Sequence, residues 1–576
     1  LHLSWSLLLA EGSDGFIDQY LHRRACKDGK QVSVAKSSFL SVCEEDLVRW
    51  LLLSLLFSAC CCYGAGVDFK NQSITIALLQ EPPNLDTTRT TDLVSFFVLG
   101  HVNEGLVRYD RRGRLSPGVA ESWDVTDEKI TFYLRENARW SDGSPVTAAD
   151  FVFSWQLIND PKTAAPYASI MYPIKNAEKV QKGELPLQSL GVRAVDPATL
   201  EVELENPCGY CVAVMVHAAF YPVKQSFYES QGERYGAEVE NLLFNGPFKL
   251  TSWIHGSKLI MVKNDNYWNQ SIVNLNQISI GYITSDNRTR LNLFRDGSIA
   301  LARLGAETVL DAVEQGIRLR TFVTGGMAYI RFNTMNDRFT ANKKIRQAIQ
   351  LVFDSDEFVN KIIAIPGYKS SYSFFPSWLR GVDDRFIKEY PVEKPRSDIK
   401  KARQLISEAK AESGLEEIPD LTLLTVTSPT GAKIAEYFQG QLKQTLGLEI
   451  KVDQQTFKQY LEKSARGDFD LCVSSWYPDF DDIVTYADLL GSHNANNRGR
   501  YVNPIYDEWL ARLQGSSDQQ VRMQAAAELQ RIIVEDVPVL PMAETGSAYV
   551  QHPRLKGVIR RALGADPDYT YARVVE

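Results

Sequence analysis

The chain has 576 residues, enough to bury a large core divided over two or three domains. It is 44% hydrophobic and 11% aromatic with a slightly negative mean hydropathy, the balance of a soluble globular protein. A formal net charge of −8 argues against nucleic acid or an anionic membrane as the main partner, and the 24 prolines and 36 glycines are scattered, so neither a low-complexity linker nor an internal repeat is visible.

The first residue is Leu1, and residues 1–46 have no clear periodicity. The segment "LVRWLLLSLLFSACCCYGAG", residues 47–66, has one basic residue, Arg49, then an apolar run from Trp50 to about Cys62, then small residues. That run is short for a membrane span and suits the core of a signal peptide. Glu44, Glu45 and Asp46 would oppose a basic leader. The expectation is therefore a translation start near Leu47 or Val48, with residues 1–46 an artefact of the assigned start or a disordered extension; the competing reading is a buried helix in a real extension. "LFSAC" offers Cys60 as a lipidation site, although Phe57 is a poor fit to the usual pattern, and cleavage near Ala65 is the alternative. Either end implies export, to the periplasm or to a lipid anchor on a membrane.

From Ser73 the pattern is mixed α and β. "SITIALL" reads as a strand, and "TDLVSFFVLGHVNEGLVRYD" as a helix with Val94, Phe97, Val98 and His101 on one face. "KITFYLREN" and "TLEVELE" alternate as strands do. "TAADFVFSWQLI" opens with Thr147 as N-cap and Asp150 three residues on, a capping-box spacing. "PCGYC" then sets Cys208 and Cys211 at a Cys-x-x-Cys spacing. A redox pair, a small structural disulfide in an oxidising compartment and half of a zinc site are the candidate readings; no thioredoxin-like pattern surrounds it and only His217 is near, which favours the disulfide.

Residues 396–476 are the most regular part. "SDIKKARQLISEAK" puts Ile399, Ala402, Leu405, Ile406 and Ala409 on one helical face. Strand "LTLLTV", helix "GAKIAEYFQGQLKQTLG", strand "LEIKVDQ", helix "TFKQYLEKSARG" and strand "FDLCVSSW" follow, which predicts right-handed βαβ units on a parallel sheet. Ligands of such sheets bind beyond the carboxyl ends of the strands. At that place stands "SSWYPDFDDIVTYADLL", with Asp479, Asp481 and Asp482 within four residues.

No nucleotide, zinc-protease or serine-hydrolase motif occurs, and none of the seven histidines lies at metal-ligand spacing from another. "DFDDIVTYADLL" lacks the Gly and terminal Glu of a calcium loop. A two-carboxylate hydrolase stays open, because separation in space is not legible here. Asp481 or Asp482 is expected to cap the helix "IVTYADLL". Asp479, between Pro478 and Phe480 and just after Trp476 and Tyr477, is either a solvated loop carboxylate or the counter-charge of an ammonium group held among aromatic faces.

Longer stretches carry a resemblance. "LSPGVAESWDVTDEKITFYLRENARWSDGSPVTAADFVFSWQ", "DPKTAAPYAS", "NGPFKLTSW", "NDNYWN", "RFNTMNDRFTANKKIRQAIQLVFD" and "FDLCVSSWYPDFDD" run in the order found in the oligopeptide-binding proteins of bacterial ABC importers, the OppA-like family 5 of solute-binding proteins. The resemblance covers the chain from about Ser73 to its end. It implies an α/β fold of the periplasmic-binding-protein-like type II, cluster C: two hinged lobes built from three domains. Domain I would comprise residues 67–93, 216–282 and 541–576, domain II residues 94–215, and domain III residues 283–540. It implies a receptor for short peptides working with an ABC permease and ATPase, monomeric, with no enzymatic activity, cofactor or metal. In that reading Asp479 pairs with the peptide's α-amino group. The main chain of Ser474, Ser475, Trp476 and Tyr477 on one side, and of Glu81 to Pro83 on the other, flanks the peptide as neighbouring strands, and Phe457 lines a side-chain pocket. Two departures qualify it. The positions where tripeptide-binding relatives hold the ligand's carboxylate carry Val473 and Gly431, so that anchor is absent or moved, and Pro82 and Pro83 remove two backbone donors. A murein peptide, a cationic metabolite, a metal chelate or haem on the same fold is the alternative ligand.

Overall fold

A computed structural model of the chain describes residues 66–576. The extension at 1–46, all of the signal segment except Gly66, and Cys60 lie outside the described residues. Among the described residues, no helix is long and apolar enough to cross a membrane.

In chain order, β1 (Val67–Asp68) and β2 (Ser73–Leu78) begin a first sheet. A hairpin of β3 (Val107–Tyr109) and β4 (Leu115–Pro117) leads to β5 (Ala120–Val125), β6 (Lys129–Leu134), β7 (Val192–Asp196) and β8 (Thr199–Glu203), a four-stranded antiparallel sheet in the order β5-β6-β8-β7. The chain then returns with β9 (Phe248–Ile254), β10 (Lys258–Lys263) and β11 (Gln277–Ile283) to complete the first sheet, β1-β2-β11-β10-β9. The third sheet takes β12 (Leu301–Leu304), β13 (Arg320–Phe332), β14 (Lys369–Ser370), β15 (Leu421–Val426), β16 (Ile450–Gln455), β17 (Leu471–Trp476) and β18 (Val539–Gln551). Its order is β12-β18-β13-β17-β15-β16, with β14 beside β18.

The βαβ expectation holds for part of this third sheet. β15 runs parallel to β16 and to β17, with the helices Pro429–Leu446 and Phe457–Arg466 as crossovers. The rest is antiparallel, because the 13-residue strands β13 and β18 lie side by side in opposite directions. The first crossover helix starts where Ser428 accepts the Gly431 amide at 3.0 Å, and it ends at Gly447, whose φ of +69° an L side chain would resist. It buries Ile434, Ala435, Phe438, Leu442 and Leu446, the i, i+4 stripe that faces the sheet. In the helix Ile399–Glu412, Ala402, Ile406 and Ala409 are buried and Leu405 is half-buried, but Ile399 is 43% exposed on the first turn.

One expected helix is shorter than the pattern implied. Helix Leu93–Val102 opens on Asp92, whose carboxylate accepts the Val94 and Ser95 amides, and stops at Asn103. There Asn245 takes over: its side chain accepts the Glu104 amide at 3.0 Å and donates to the Glu104 carbonyl at 2.8 Å. The chain is thereby extended, and Val107–Tyr109 becomes β3. The capping box at Thr147 forms, with the Thr147 amide donating to Asp150 Oδ2 at 2.8 Å at the head of the helix Ala148–Asn159.

Three large cores result. One joins the first sheet to helix Leu93–Val102 through Ile76, Phe97, Val98, Phe248 and Leu259. A second lies behind the third sheet around Ile330, Phe438 and Leu471. The third starts on the second sheet with Ile130, Phe132, Trp155 and Leu200 and runs on without a break into Phe480, Tyr486 and Leu529, which belong to the far side of the cleft. The halves of the molecule that the second and third sheets dominate are thus closed on each other. Burying large apolar side chains across that boundary contributes about 1.5–3 kcal/mol apiece.

Candidate functional site: an unpaired carboxylate at the end of an open strand edge

β17 is flanked unequally. β13 accompanies it from Leu471 to Trp476, but β15 pairs with it only at Leu471 and Cys472. From Val473 to Trp476 one backbone edge therefore has no neighbouring strand among the described residues, the geometry that accepts an added extended segment. The Val473 carbonyl on this run receives the Tyr460 hydroxyl at 2.9 Å. Side chains alternate: Ser474 is buried against Cys472 and Tyr460, Ser475 is exposed, and Trp476 and Tyr477 are half-buried.

Beyond Trp476 the chain turns. Thr485 Oγ1 accepts both the Asp479 amide at 3.2 Å and the Trp476 indole N–H at 3.4 Å, which pins the turn to the following helix. Asp479 is left half-buried with its carboxylate facing Tyr167 and Tyr486. Among the described residues it has no ion-pair partner, and burial pushes its pKa up to about 7. An acid in this position is destabilised by its own charge until a cation arrives. Tyr167 stacks on His217 with ring centroids 5.1 Å apart, and Phe96 meets His217 edge-on at 4.8 Å. His217 Nδ1 accepts the Ala219 amide at 3.2 Å, Nε2 has no hydrogen-bond partner among the described residues, and burial lowers the pKa to about 4, so the ring is neutral. The wall around the carboxylate is aromatic and uncharged.

The other two aspartates do different work. Asp482 accepts the Val484 amide at 3.0 Å and pairs with Arg522 at 2.6 Å, but the N-cap of the helix Val484–Ala487 is Ile483, with no side-chain cap, so the expected aspartate cap is not made. Asp481 faces the Tyr109 hydroxyl, and burial raises its pKa. Arg522 in turn lies over the ring of Tyr210, 5.6 Å from its centroid, and Tyr210 stacks on Phe480 at 5.5 Å and 13°. Tyr210 stands between Cys208 and Cys211, which are joined as a disulfide. The Cys-x-x-Cys loop therefore reaches from the second-sheet side to the residue that follows Asp479.

The remaining site candidates lie as follows. Glu81 turns its side chain away from an open strand role: it accepts the Trp253 indole at 2.9 Å and the Gly256 amide at 2.7 Å and touches His255 at 2.7 Å. Burial would raise its pKa, but these hydrogen bonds outweigh it and hold it low. Pro83 is exposed. Phe457 is 66% exposed at the start of its helix, stacked on Tyr460 at 6.3 Å. At Gly431 a Cβ would sit 2.4 Å from the Val426 carbonyl oxygen, so no side chain fits there without a backbone shift. Among the described residues, no group of three His, Cys, Asp or Glu is placed to hold a metal. Tyr167, His217, Thr485, Tyr210 and Arg522 were not legible as site residues, since each is far in sequence from Asp479 or carries no motif.

A mixed α/β clamp, closed over an open strand edge that ends in a lone carboxylate, defines a ligand-binding protein of the periplasmic-binding class. Residues 114–498 match the sequence model of the bacterial extracellular solute-binding proteins, family 5 Middle. The chain belongs to this family. It is 31% identical over 545 residues to the periplasmic oligopeptide-binding protein OppA of Salmonella typhimurium, covering 92% of this chain and 97% of that one. It is 30% identical to the periplasmic murein peptide-binding protein MppA of Escherichia coli, covering 88% and 93%. Among solved structures, the substrate-binding domain of an oligopeptide ABC transporter from Bacillus anthracis superposes with a TM-score of 0.77 at 33% identity, over 88% of this chain and 99% of that one.

Proposed function

We propose that the protein is an exported receptor that captures short peptides by their free α-amino group and hands them to an ABC permease. The observation that carries this reading is Asp479: a carboxylate with no cationic partner among the described residues, ringed by aromatics, at the end of an unpaired strand edge. Main-chain pairing along Val473 to Trp476 supplies affinity that does not depend on the ligand's side chains, and Asp479 sets its direction. The peptide- and ABC-transport names of the relatives support the same assignment. In this reading residues 67–93, 216–282 and 541–576 form domain I, residues 94–215 domain II and residues 283–540 domain III. The receptor acts as a monomer and releases its ligand chemically unchanged.

Calorimetry with matched free and N-acetylated peptides tests it. Leaving a buried charge unpaired costs about 3–5 kcal/mol, so acetylation is expected to weaken binding by roughly two to four orders of magnitude. Equal affinity for both forms would remove the amine anchor. A second reading, a modified peptide such as a murein peptide, is favoured by Gly431, where the backbone excludes a side-chain anchor for a standard carboxyl terminus. Mass analysis of ligand extracted from protein purified from its own cells separates the two readings.

A further inference from the structure

Two arginines under the open strand have no counter-charge among the described residues. Arg331, on β13, is 8% exposed; its guanidinium donates to the Tyr329 hydroxyl at 2.9 Å and to Ser464 Oγ at 3.4 Å, both neutral. Arg498 is half-buried, and its side chain makes no hydrogen bond and no ion pair among the described residues. The two are neighbours. The backbone of Gly499 rests on the Arg331 stem, where a Cβ would lie 3.1 Å from Arg331 Cγ, and the positive charge of Arg331 is felt at Arg498. Acids nearby in sequence are already committed: Asp453 to Lys463 at 2.6 Å and Asp468 to Arg466 at 2.8 Å. Burial and the nearby charge of Arg331 both work against the charged form of Arg498, so Arg498 is the member of the pair that an added anion would relieve.

The position of the pair relative to the ligand edge is set by register. Arg331 lies across from Cys472 and Tyr329 across from Ser474, and Cys472, Ser474 and Trp476 share one face of β17 by alternation. The cations therefore lie beneath the first half of the strand whose far end leads to Asp479. From Cys472, across from Arg331, to Trp476 the strand extends roughly 13 Å at about 3.3 Å per residue before the chain turns to Asp479, room for an extended peptide of about four residues or more.

We propose that Arg331 and Arg498 are the binding site for a carboxylate carried by the ligand, at the opposite end of the strand edge from Asp479. The assignment rests on the peptide reading above and extends it: the anchor missing at Val473 and Gly431 is supplied by two arginines from other elements. Guanidinium groups suit this task because their N–H donors can bracket a carboxylate in two parallel hydrogen bonds.

The test is calorimetry on the full chain with tetra- and pentapeptides in two matched pairs, one with a free carboxylate against a carboxamide at the C-terminus, the other with Glu against Gln within the peptide. At least one pair is expected to favour the acid by roughly tenfold or more, and Arg498→Gln is expected to abolish that preference while leaving the affinity for the uncharged partner unchanged. The pair that discriminates identifies the source of the carboxylate. Arg331→Met is expected to act in the same way; because Arg331 is buried, its fold is checked by circular dichroism, and Arg498→Gln decides the question if that variant does not fold. Peptides that bind with no acid preference in either pair overturn the anion site and leave the amine anchor standing. Failure of every free-amine peptide to bind overturns the peptide reading, and this assignment with it.

Discussion

Asp479, Asp481 and Asp482 show how neighbouring identical residues are separated by their surroundings. Asp482 is spent on Arg522 and the Val484 amide, whereas Asp479 is held without an ion-pair partner among the described residues and its pKa rises to about 7. A folded-state pKa raised above the ordinary aspartate value of 3.8 means that the closed form without ligand binds this proton more tightly than the unfolded chain. The closed form without ligand therefore loses stability as pH rises from about 4 through about 7, so ligand-free protein closes less readily at higher pH. Asp479→Asn is expected to raise the melting temperature of the ligand-free protein, by more at pH 8 than at pH 5, and calorimetric scans at both values check the sign. Binding has a different dependence. An ammonium ligand needs the carboxylate ionised and its own amine protonated, so affinity for free-amine peptides is expected to climb towards pH 7 and to fall again once the α-amine, whose ordinary pKa is about 8, loses its proton, with the rising limb absent in Asp479→Asn. Thr485 acts one step away, by holding the Asp479 amide and the Trp476 indole. Thr485→Val removes the one acceptor of both hydrogen bonds while keeping the volume; the expected result is a several-fold loss of affinity, with the pH profile still centred on Asp479.

At the scale of elements, the loop bearing Cys208 and Cys211 behaves as a latch. It carries Tyr210 from the second-sheet side to Phe480, and its Gly209 amide donates to the Ser516 carbonyl at 3.3 Å. Ser517, next to that contact, donates to Asp127 at 2.7 Å, which closes the same boundary at a second point. Aromatic stacks of this kind contribute about 0.5–1.5 kcal/mol, and because this one exists only when the two sides meet, it favours the closed form. Tyr210→Leu is expected to speed ligand release by roughly two- to tenfold, Tyr210→Phe to leave it unchanged, and a double-mutant cycle with Phe480→Leu to show coupling. Stopped-flow release of a fluorescent peptide reads all three. Replacing both cysteines by serine frees the loop without touching the stack, so a smaller effect in the same direction is expected. Such contacts cannot be inferred from the "PCGYC" spacing, because the partner strand end and helix lie more than two hundred residues further along the chain.

For the whole molecule, an apolar core that runs unbroken from the second sheet to Phe480 and Tyr486 makes closure and ligand burial one event. A ligand that binds only the closed, folded state adds about 2.7 kcal/mol of stability at a hundred times its dissociation constant. Free-amine peptides are accordingly expected to raise the melting temperature in a concentration-dependent way, and small-angle scattering to show a smaller radius of gyration with ligand than without. N-acetylated peptides at the same concentration should change neither.

The strands and helices of residues 396–476 were legible in sequence because their apolar periods, caps and terminal glycines are local features, and local features survive folding. The order of the motifs was likewise enough to place the chain in its family, and the position of Asp479 just past a strand end marked it as a candidate. Tertiary structure alone decided the rest. It ended the helix begun at Leu93 early, because Asn245 offered the backbone better partners than another helical turn. It made most of the third sheet antiparallel, because β13 and β18 are long enough to pair along their lengths. It assigned Asp482 to Arg522 and left Asp479, Arg331 and Arg498 without counter-charges among the described residues, since pairing depends on which side chains converge in space, and sequence distance carries no information about that.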